Sequence, residues 1–440
     1  MDELTITPKQ LKNHTLILDE TLPGDKSISH RAYILASLCN NNSLFENMSE
    51  ATDCKNSRQA LKSLGIPIKN IKKKTAIHGQ GLKGLKPPPS CINVGNAGTA
   101  IRLLTGILAA QPFNSEISGD KSIQQRPMDR IINPLGQMGA IIKGKARNNK
   151  RFAPLNIIGQ KQLKGILYQL PIASAQVKSA LLFAGLYAQE KTVIIEETPS
   201  RDHSERLLRY FGADILCKKN HISITNTKPL NNPHPNTALF IPNDPSAAAF
   251  FIVLAACHPS CTLILRKVSL NPQRIAFLDI LKHMGLNYHI ENKIETWEPY
   301  GDIIVNSSEL KNISIPKEII PQIIDEIPIL AIAGCFARGT FAITDAKELR
   351  VKESDRIHNM VCLLSNMGID VTEKEDGFSF KGPVKITPFH CDSQHDHRIA
   401  MSAIIAAQAG QVSATIKDCN CIKTSFPKFF DSLEKILINN

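Results

Sequence analysis

Six times along the chain a short polar stretch opens an apolar segment of helical length, at intervals of roughly 70 to 80 residues. The segments are "GDKSISHRAYILASLC" from Gly24, "GNAGTAIRLLTGILAA" from Gly95, "ASAQVKSALLFAGLYA" from Ala173, "NDPSAAAFFIVLAAC" from Asn243, "DEIPILAIAGCFA" from Asp325 and "HDHRIAMSAIIAAQAG" from His395. In the second, Ile101, Leu104, Ile107 and Leu108 fall at helical spacing. The others are apolar on most sides, the pattern of helices buried within a domain. A strand-like run follows each: "SLFENMS", "SEISGD", "TVIIEETP", "CTLILRKV", "GTFAITDA" and "VSATIKDC". A second, amphipathic segment comes next. In five of the six copies it ends on a glycine-containing tag, "LKSLGI", "LGQMGA", "LRYFGA", "LKHMGL" and "LSNMGI", the usual way to stop a helix; the sixth reaches the chain end at "SLEKILINN". The repeat reads strand, helix, strand, helix, strand.

At 440 residues the chain is too long for one ordinary core, and six copies divide into three per domain. The break falls before "IPNDPSAAAFF", after the Pro- and Asn-rich "KPLNNPHPN", while the early strand "HTLILDE" can pair with either domain. Two cores imply a cleft.

Composition narrows the chemistry. With 42% hydrophobic and 21% charged residues the chain fits a soluble globular protein without a long disordered tail. Its apolar runs fall short of the roughly 18 residues a membrane span needs, and the N-terminus carries no targeting pattern, so a cytoplasmic protein with no membrane partner is expected. Eleven cysteines without a CxxC pair read as reduced thiols. The metal-like cluster "HCDSQHDHR", His390 to Arg398, reads as caps and hydrogen-bond donors; neither metal nor cofactor is expected. The net charge of +12 includes the basic runs "KNIKKK" from Lys69 and "RNNKR" from Arg147. One Trp, six Tyr and no recognised nucleic-acid motif argue against a nucleic-acid partner, so these runs are expected as solvated loops. A basic balance instead concentrates small anions.

Helix N-termini present free backbone N–H groups and roughly half a positive charge, so they gather anions. If the first helices of each domain point the same way and the domains face each other, six N-termini converge on one cleft. The polar residues at these mouths are Lys26, Ser27 and Arg31; Asn96, Gly98, Thr99 and Arg102; Ser174, Gln176 and Lys178; Asp244; Asp325 and Glu326; Asp396, His397 and Arg398. Near second-helix starts come Arg126, Ser200 and Arg201, then Lys352, Glu353 and Arg356, then Lys423. Singly, Asp244, Ser174 and Asn96 read as helix caps. Repeated Lys and Arg do not, because a cation there opposes the dipole unless an anion sits between them.

At these residues, in "PGDKSISHR", "GNAGTAIR", "QRPMDRI", "ASAQVKSALL", "RVKESDRI", "DHRIAM" and "KTSFPKFF", the chain resembles the 5-enolpyruvylshikimate-3-phosphate synthase family nearly end to end and in order. The wording of "ASAQVKSALL" and "SRDHSER" is nearer to the class II enzymes, known for glyphosate-tolerant members, than to the enteric type. The resemblance implies an α/β (α+β) two-domain enolpyruvyl transferase fold. Each domain would hold three βαβαββ repeats around a pseudo-threefold axis, with the active site in the interdomain cleft. The domains would be 23–240, and 1–22 with 241–440.

The implied reaction moves the enolpyruvyl group of phosphoenolpyruvate to the 5-hydroxyl of shikimate 3-phosphate and releases phosphate. By motif, Lys26, Asn96, Gly98, Thr99, Arg126, Gln176, Arg356, Arg398 and Lys423 would hold phosphoenolpyruvate. Lys26, Ser27, Arg31, Ser174, Ala175, Gln176, Ser200, Arg201, Asp325 and Lys352 would hold shikimate 3-phosphate. Asp325, Glu353 and Lys26 are the candidates for proton transfer. Two positions bear on the family pattern. Glu348 stands where enteric members carry Asn, and Gly98, where tolerant enzymes can carry Ala, argues for glyphosate sensitivity. The related transferase acting on UDP-N-acetylglucosamine is disfavoured, because the loop "SGDKSIQQRP" lacks its reactive cysteine. A non-enzymatic anion-binding scaffold is disfavoured by Asp325 and Glu353. With no coiled coil or exposed apolar seam in the sequence, a monomer is expected.

Overall fold

The computed structural model describes residues 3–11, 15–160 and 162–438. The chain divides into two compact units: a continuous one, Gly24–Ile241, and a split one made of Met1–Pro23 with Pro242–Asn440.

The continuous unit holds the helices α1 (Lys26–Ser37), α2 (Thr52–Ser63), α3 (Gly98–Leu108), α4 (Asp129–Gln137), α5 (Ala175–Gly185) and α6 (His203–Tyr210). The first helices of the three repeats, α1, α3 and α5, are buried over most of their length. Helices α3 and α5 approach so closely that a Cβ on Gly106 would lie 2.2 Å from the carbonyl oxygen of Ala180. A side chain at 106 would force the pair apart. Each repeat carries one four-stranded sheet of a single pattern. In the second repeat, Ile92–Asn93 runs parallel to Ser115–Ser118, which pairs antiparallel with the hairpin Lys150–Ile158 and Ile141–Arg147. The third repeats this with Leu167–Gln169, Thr192–Ile195, His221–Thr225 and Asp214–Lys218. The first uses Asn42–Glu46, Lys74–His78 and Ile68–Ile71, but its parallel edge is Ala238–Phe240, from the end of the unit.

The split unit holds α7 (Pro245–Cys257), α8 (Ala276–His283), the single turn α9 (Ile320–Ile323), α10 (Ile327–Phe336), α11 (Arg356–Asn366), α12 (His397–Gly410) and α13 (Phe429–Ile436). Helices α7, α10 and α12 pack on one another in its core. The strand expected in "HTLILDE", whose His14 lies outside the described residues, is Leu16–Leu18 and runs parallel to Leu263–Leu265 in this unit. So the strand before α1 serves the split unit, and the strand before α7 serves the continuous one.

The last two repeats depart from the common plan. The fifth has three strands, Gly339–Ile343, Gly377–Gly382 and Val371–Lys374, with one isolated bridge, Lys311 to Arg338, in place of a parallel edge strand. In the sixth no hairpin follows the second helix among the described residues. Its strand Ala414–Lys417 pairs instead with Glu3–Ile6 from the N-terminus, antiparallel, and with Phe389–Asp392, parallel. The N-terminal strand thereby covers an edge that would stay open.

The basic runs expected as loops are hairpin ends. Lys69 to Lys74 spans the turn of one hairpin. "RNNKR" forms another, with Asn148 and Asn149 at φ 47° and 58°, the left-handed pair that a two-residue hairpin turn requires. No single helix among the described residues is long and apolar enough to cross a membrane.

Candidate active site

In the continuous unit the first-helix starts gather arginines among neutral partners and lysines beside carboxylates. Asp25 caps α1 by accepting from the Ile28 N–H, which leaves Lys26 and Ser27 in the first turn. The Lys26 ammonium lies 3.1 Å from Asp53 at the start of α2. Arg31, one turn on, is buried and fully engaged: it donates to the Ser27 carbonyl at 2.9 Å, to Ser204 Oγ at 2.7 Å and to Ser179 Oγ at 2.9 Å. Arg201 Nη1 reaches Ser27 Oγ at 3.4 Å. Arg31 and Arg201 thus bind α1 to the start of α6.

A second cluster joins the starts of α3 and α5. Arg126 donates to Asn96 Oδ1 at 2.8 Å and to Ser122 Oγ at 3.0 Å, while its buried Nε has no protein partner among the described residues. Arg102 donates to the Gly98 carbonyl at 3.1 Å and to Gln176 Oε1 at 2.9 Å, and the Gln176 amide donates to Thr99 Oγ1 at 2.9 Å. A Cβ on Gly98 would lie 2.8 Å from Arg126 Nη1 and 2.9 Å from Arg102 Nη1. Glycine there lets both guanidinium groups lie against the backbone.

The capping reading holds for Ser174, which accepts from the Val177 N–H with Ala175 as the first helical residue, and for Asp244, which accepts from Ser246 N. It fails for Asn96: no side chain caps α3, and Asn96 accepts from Arg126 instead. Lys178 also differs from the expectation of a mouth residue. It is fully buried, with its ammonium 2.7 Å from Glu196, 2.7 Å from Glu205 and 3.1 Å from the Ser200 carbonyl. Burial alone would lower its pKa, yet the two carboxylates raise it, so it stays charged. The buried Ser200 hydroxyl has no partner among the described residues. His30, buried behind Lys26, bonds Ser57 Oγ through Nδ1 at 2.7 Å. Burial, then Lys26 and Arg31, hold its pKa well below 6.5, so the imidazole is neutral.

The split unit builds differently. Arg356, at the start of α11 and 1% exposed, faces three carboxylates. Its Nε donates to Asp396 at 2.8 Å, Nη1 to Asp325 at 3.2 Å and Nη2 to Glu353. Burial would lower its pKa, but Asp396, Glu353 and Asp325 raise it. Asp396 also caps α12 by accepting from Arg398 N. The Arg398 side chain donates to the Asp325 carbonyl at 2.7 Å, lying 3.7 Å from that residue's carboxylate and 3.8 Å from Glu326. Lys352 is half-buried, and burial lowers its pKa against the opposing pull of Asp325 and Glu348. Lys423 is exposed in the turn Cys419–Thr424. The metal-like cluster is dispersed: His390 and Asp392 are exposed on a strand, His395 is exposed 3.6 Å from Asp418, and Asp396 is turned inward to Arg356.

Within the continuous unit the structure therefore draws together Lys26 with Asp53; Ser27, Arg31 and Arg201; and Asn96, Gly98, Thr99, Arg126 and Gln176. Within the split unit it draws together Asp325, Glu353, Arg356 and Arg398. Asp53, Ser179, Ser204 and Arg274 escaped the sequence reading. Arg274, which pairs with Asp244 at 2.7 Å, had a signal: like Arg126, Arg201 and Arg356, it stands at, or within three residues before, the start of a second helix.

The family model described as EPSP synthase (3-phosphoshikimate 1-carboxyvinyltransferase) matches residues 17–433. Over 438 residues the chain is 44% identical to the 3-phosphoshikimate 1-carboxyvinyltransferase of Petrotoga mobilis, covering 99% of both chains. It is 45% identical to that of Thermodesulfovibrio yellowstonii, covering 97% of this chain and 98% of the relative. Among solved structures it resembles an EPSP synthase from Acinetobacter baumannii with a TM-score of 0.85 at 40% identity, covering 100% of this chain and 99% of the other.

Proposed function

The chain belongs to the EPSP synthase (3-phosphoshikimate 1-carboxyvinyltransferase) family, and from that membership we propose how its two sets of helix mouths carry out the family's reaction. The protein transfers the enolpyruvyl group of phosphoenolpyruvate to the 5-hydroxyl of shikimate 3-phosphate, releasing phosphate, in the shikimate pathway of aromatic amino acid biosynthesis. Each substrate carries a phosphate and a carboxylate. Binding the pair calls for guanidinium forks and ammonium groups in number.

In our reading the continuous unit supplies the holding groups. Arg126 takes phosphoenolpyruvate beside Lys26, Asn96, Gly98 and Thr99. Ser27, Arg31, Ser174, Ala175, Gln176, Ser200 and Arg201 line the shikimate 3-phosphate side, with Arg31 acting through Ser27. From the split unit we assign Arg356, Arg398 and Lys423 to phosphoenolpyruvate, Lys352 and Asp325 to shikimate 3-phosphate, and Asp325 and Glu353 to the protons. The methylene carbon of phosphoenolpyruvate gains a proton as the 5-hydroxyl loses one and attacks the neighbouring carbon. The tetrahedral adduct then sheds phosphate and returns a methyl proton. Asp325 and Glu353, with Lys26 as a further candidate, serve these transfers.

One observation carries this reading: two carboxylates, Asp325 and Glu353, share the buried Arg356 guanidinium beside Arg398. A pure anion binder gains nothing from negative charge there, whereas a proton-transferring site needs it. Eleven free thiols support our placing the enzyme in the cytoplasm, and we expect it to act as a monomer. Phosphate release from phosphoenolpyruvate with shikimate 3-phosphate tests the activity, with UDP-N-acetylglucosamine as control. Turnover only with the control acceptor would overturn it.

A further inference from the structure

The geometry points to a relay of Arg274, Ser246 and Glu326 that positions Arg398 for phosphoenolpyruvate. This rests on the activity and the role of Arg398 proposed above. The three side chains lie inside the split unit and reach Arg398 through Glu326. Arg274 is 3% exposed, and its Nη2 donates to Asp244 Oδ1 at 2.7 Å and to Ser246 Oγ at 3.1 Å. A guanidinium only donates, so the Ser246 oxygen must accept from it, and the hydroxyl hydrogen is free to point only elsewhere. It points to Glu326 Oε1, with which Ser246 makes a short contact.

Glu326 is 2% exposed and sits at the N-cap position of α10, where its carboxylate caps nothing. Its oxygen is instead 3.8 Å from Arg398 Nη1, the same nitrogen that donates to the Asp325 carbonyl. Buried charges of this kind are costly unless each is paired, and truncating one leaves its neighbour uncompensated. The relay therefore crosses three helix starts, from Asp244 and Ser246 on α7 through Glu326 before α10 to Arg398 on α12, and fixes how far the Arg398 guanidinium leans from its own helix. Arg274 and Glu326 are positioning residues: they act on substrate through Arg398.

The test is steady-state phosphate release by the full-length enzyme, with each substrate varied in turn, on Ser246→Ala, Glu326→Gln, Arg274→Met and Arg274→Lys. Ser246→Ala and Glu326→Gln should raise KM for phosphoenolpyruvate about tenfold, the loss expected for one charge-assisted hydrogen bond, with KM for shikimate 3-phosphate and the melting temperature little changed. Arg274→Met should do the same and Arg274→Lys, which keeps a cationic donor, should restore most of the affinity. Should Arg274→Met fail to fold, Ser246→Ala still decides the matter, since it removes one hydroxyl. Folded variants with an unchanged KM for phosphoenolpyruvate, or with both KM values raised alike, would overturn the relay. A wild-type enzyme inert with both substrates would instead sink the activity on which it rests.

Discussion

The two units surround the arginines at their helix mouths with different partners. In the continuous unit the arginines lean on neutral oxygens: Arg126 on Asn96 and Ser122, Arg102 on Gln176 and a carbonyl, Arg31 on two serines and a carbonyl. None of these partners carries a negative charge. In the split unit Arg356 meets Asp325, Glu353 and Asp396, and Arg398 meets Asp325 and Glu326. Charge there is balanced, and the carboxylates that balance it can exchange protons. On the roles proposed above, the repeat holds substrate where its arginines are paired with amides and hydroxyls, and moves protons where they are paired with acids.

The sharpest way to break this contrast is to remove a lightly paired cation. Arg126→Ala should lower kcat/KM for phosphoenolpyruvate about a thousandfold, since two or three charge-assisted bonds are worth roughly 4 kcal/mol. Near-normal kinetics would deny the continuous unit its holding role. Gly98→Ala tests the packing behind that role. A methyl 2.8 Å from Arg126 Nη1 must push the guanidinium aside, so KM for phosphoenolpyruvate should rise about tenfold while the protein stays folded.

A smaller effect probes the cation-rich interior. His30 is buried neutral, with its pKa held below the unfolded 6.5 by burial, Lys26 and Arg31. The unfolded chain therefore binds the extra proton first. Stability contributed by the neutral ring is present above pH 6.5 and lost as pH falls below it, by at most about 1.4 kcal/mol per pH unit. Denaturant midpoints should drop on acidification less in His30→Gln than in wild type, and identical slopes would show that the ring does not report the local charge. The smallest change is expected at a cap. Ser174→Ala removes the acceptor for the Val177 N–H and should cost about 1 kcal/mol, a melting shift of roughly 2–4 °C.

Much of this contrast was legible in the sequence, and the illegible part has physical causes. The six apolar helices announce themselves because each is buried on nearly every side, as α7 is from Pro245 to Ala256. The closing hairpins are fainter. "KNIKKK" and "RNNKR" read as loops because hairpin ends stand in water and carry polar residues on both faces. No local signal assigns Leu16–Leu18 to one unit and Ala238–Phe240 to the other, since a short apolar strand fits either edge. At the site, motif order marked Lys26, Arg126, Glu353 and Arg398, but not what they pair with. The acids around Arg356 come from three separated segments, and nothing local in the sequence joins Asp325 to Asp396. Lys178 was misread for the same reason. A lysine in the first turn of a helix looks like its neighbours at 26 and 102 until Glu196 and Glu205 fold over it.

The division of labour is tested most directly by comparing binding with turnover in Glu353→Gln. Calorimetric affinities for shikimate 3-phosphate and phosphoenolpyruvate should stay within a few-fold of wild type, while kcat for phosphate release falls by about a hundredfold or more, the usual worth of a general acid or base. Full turnover in this variant, or affinities that collapse together with kcat, would contradict the assignment of proton transfer to the carboxylates of the split unit.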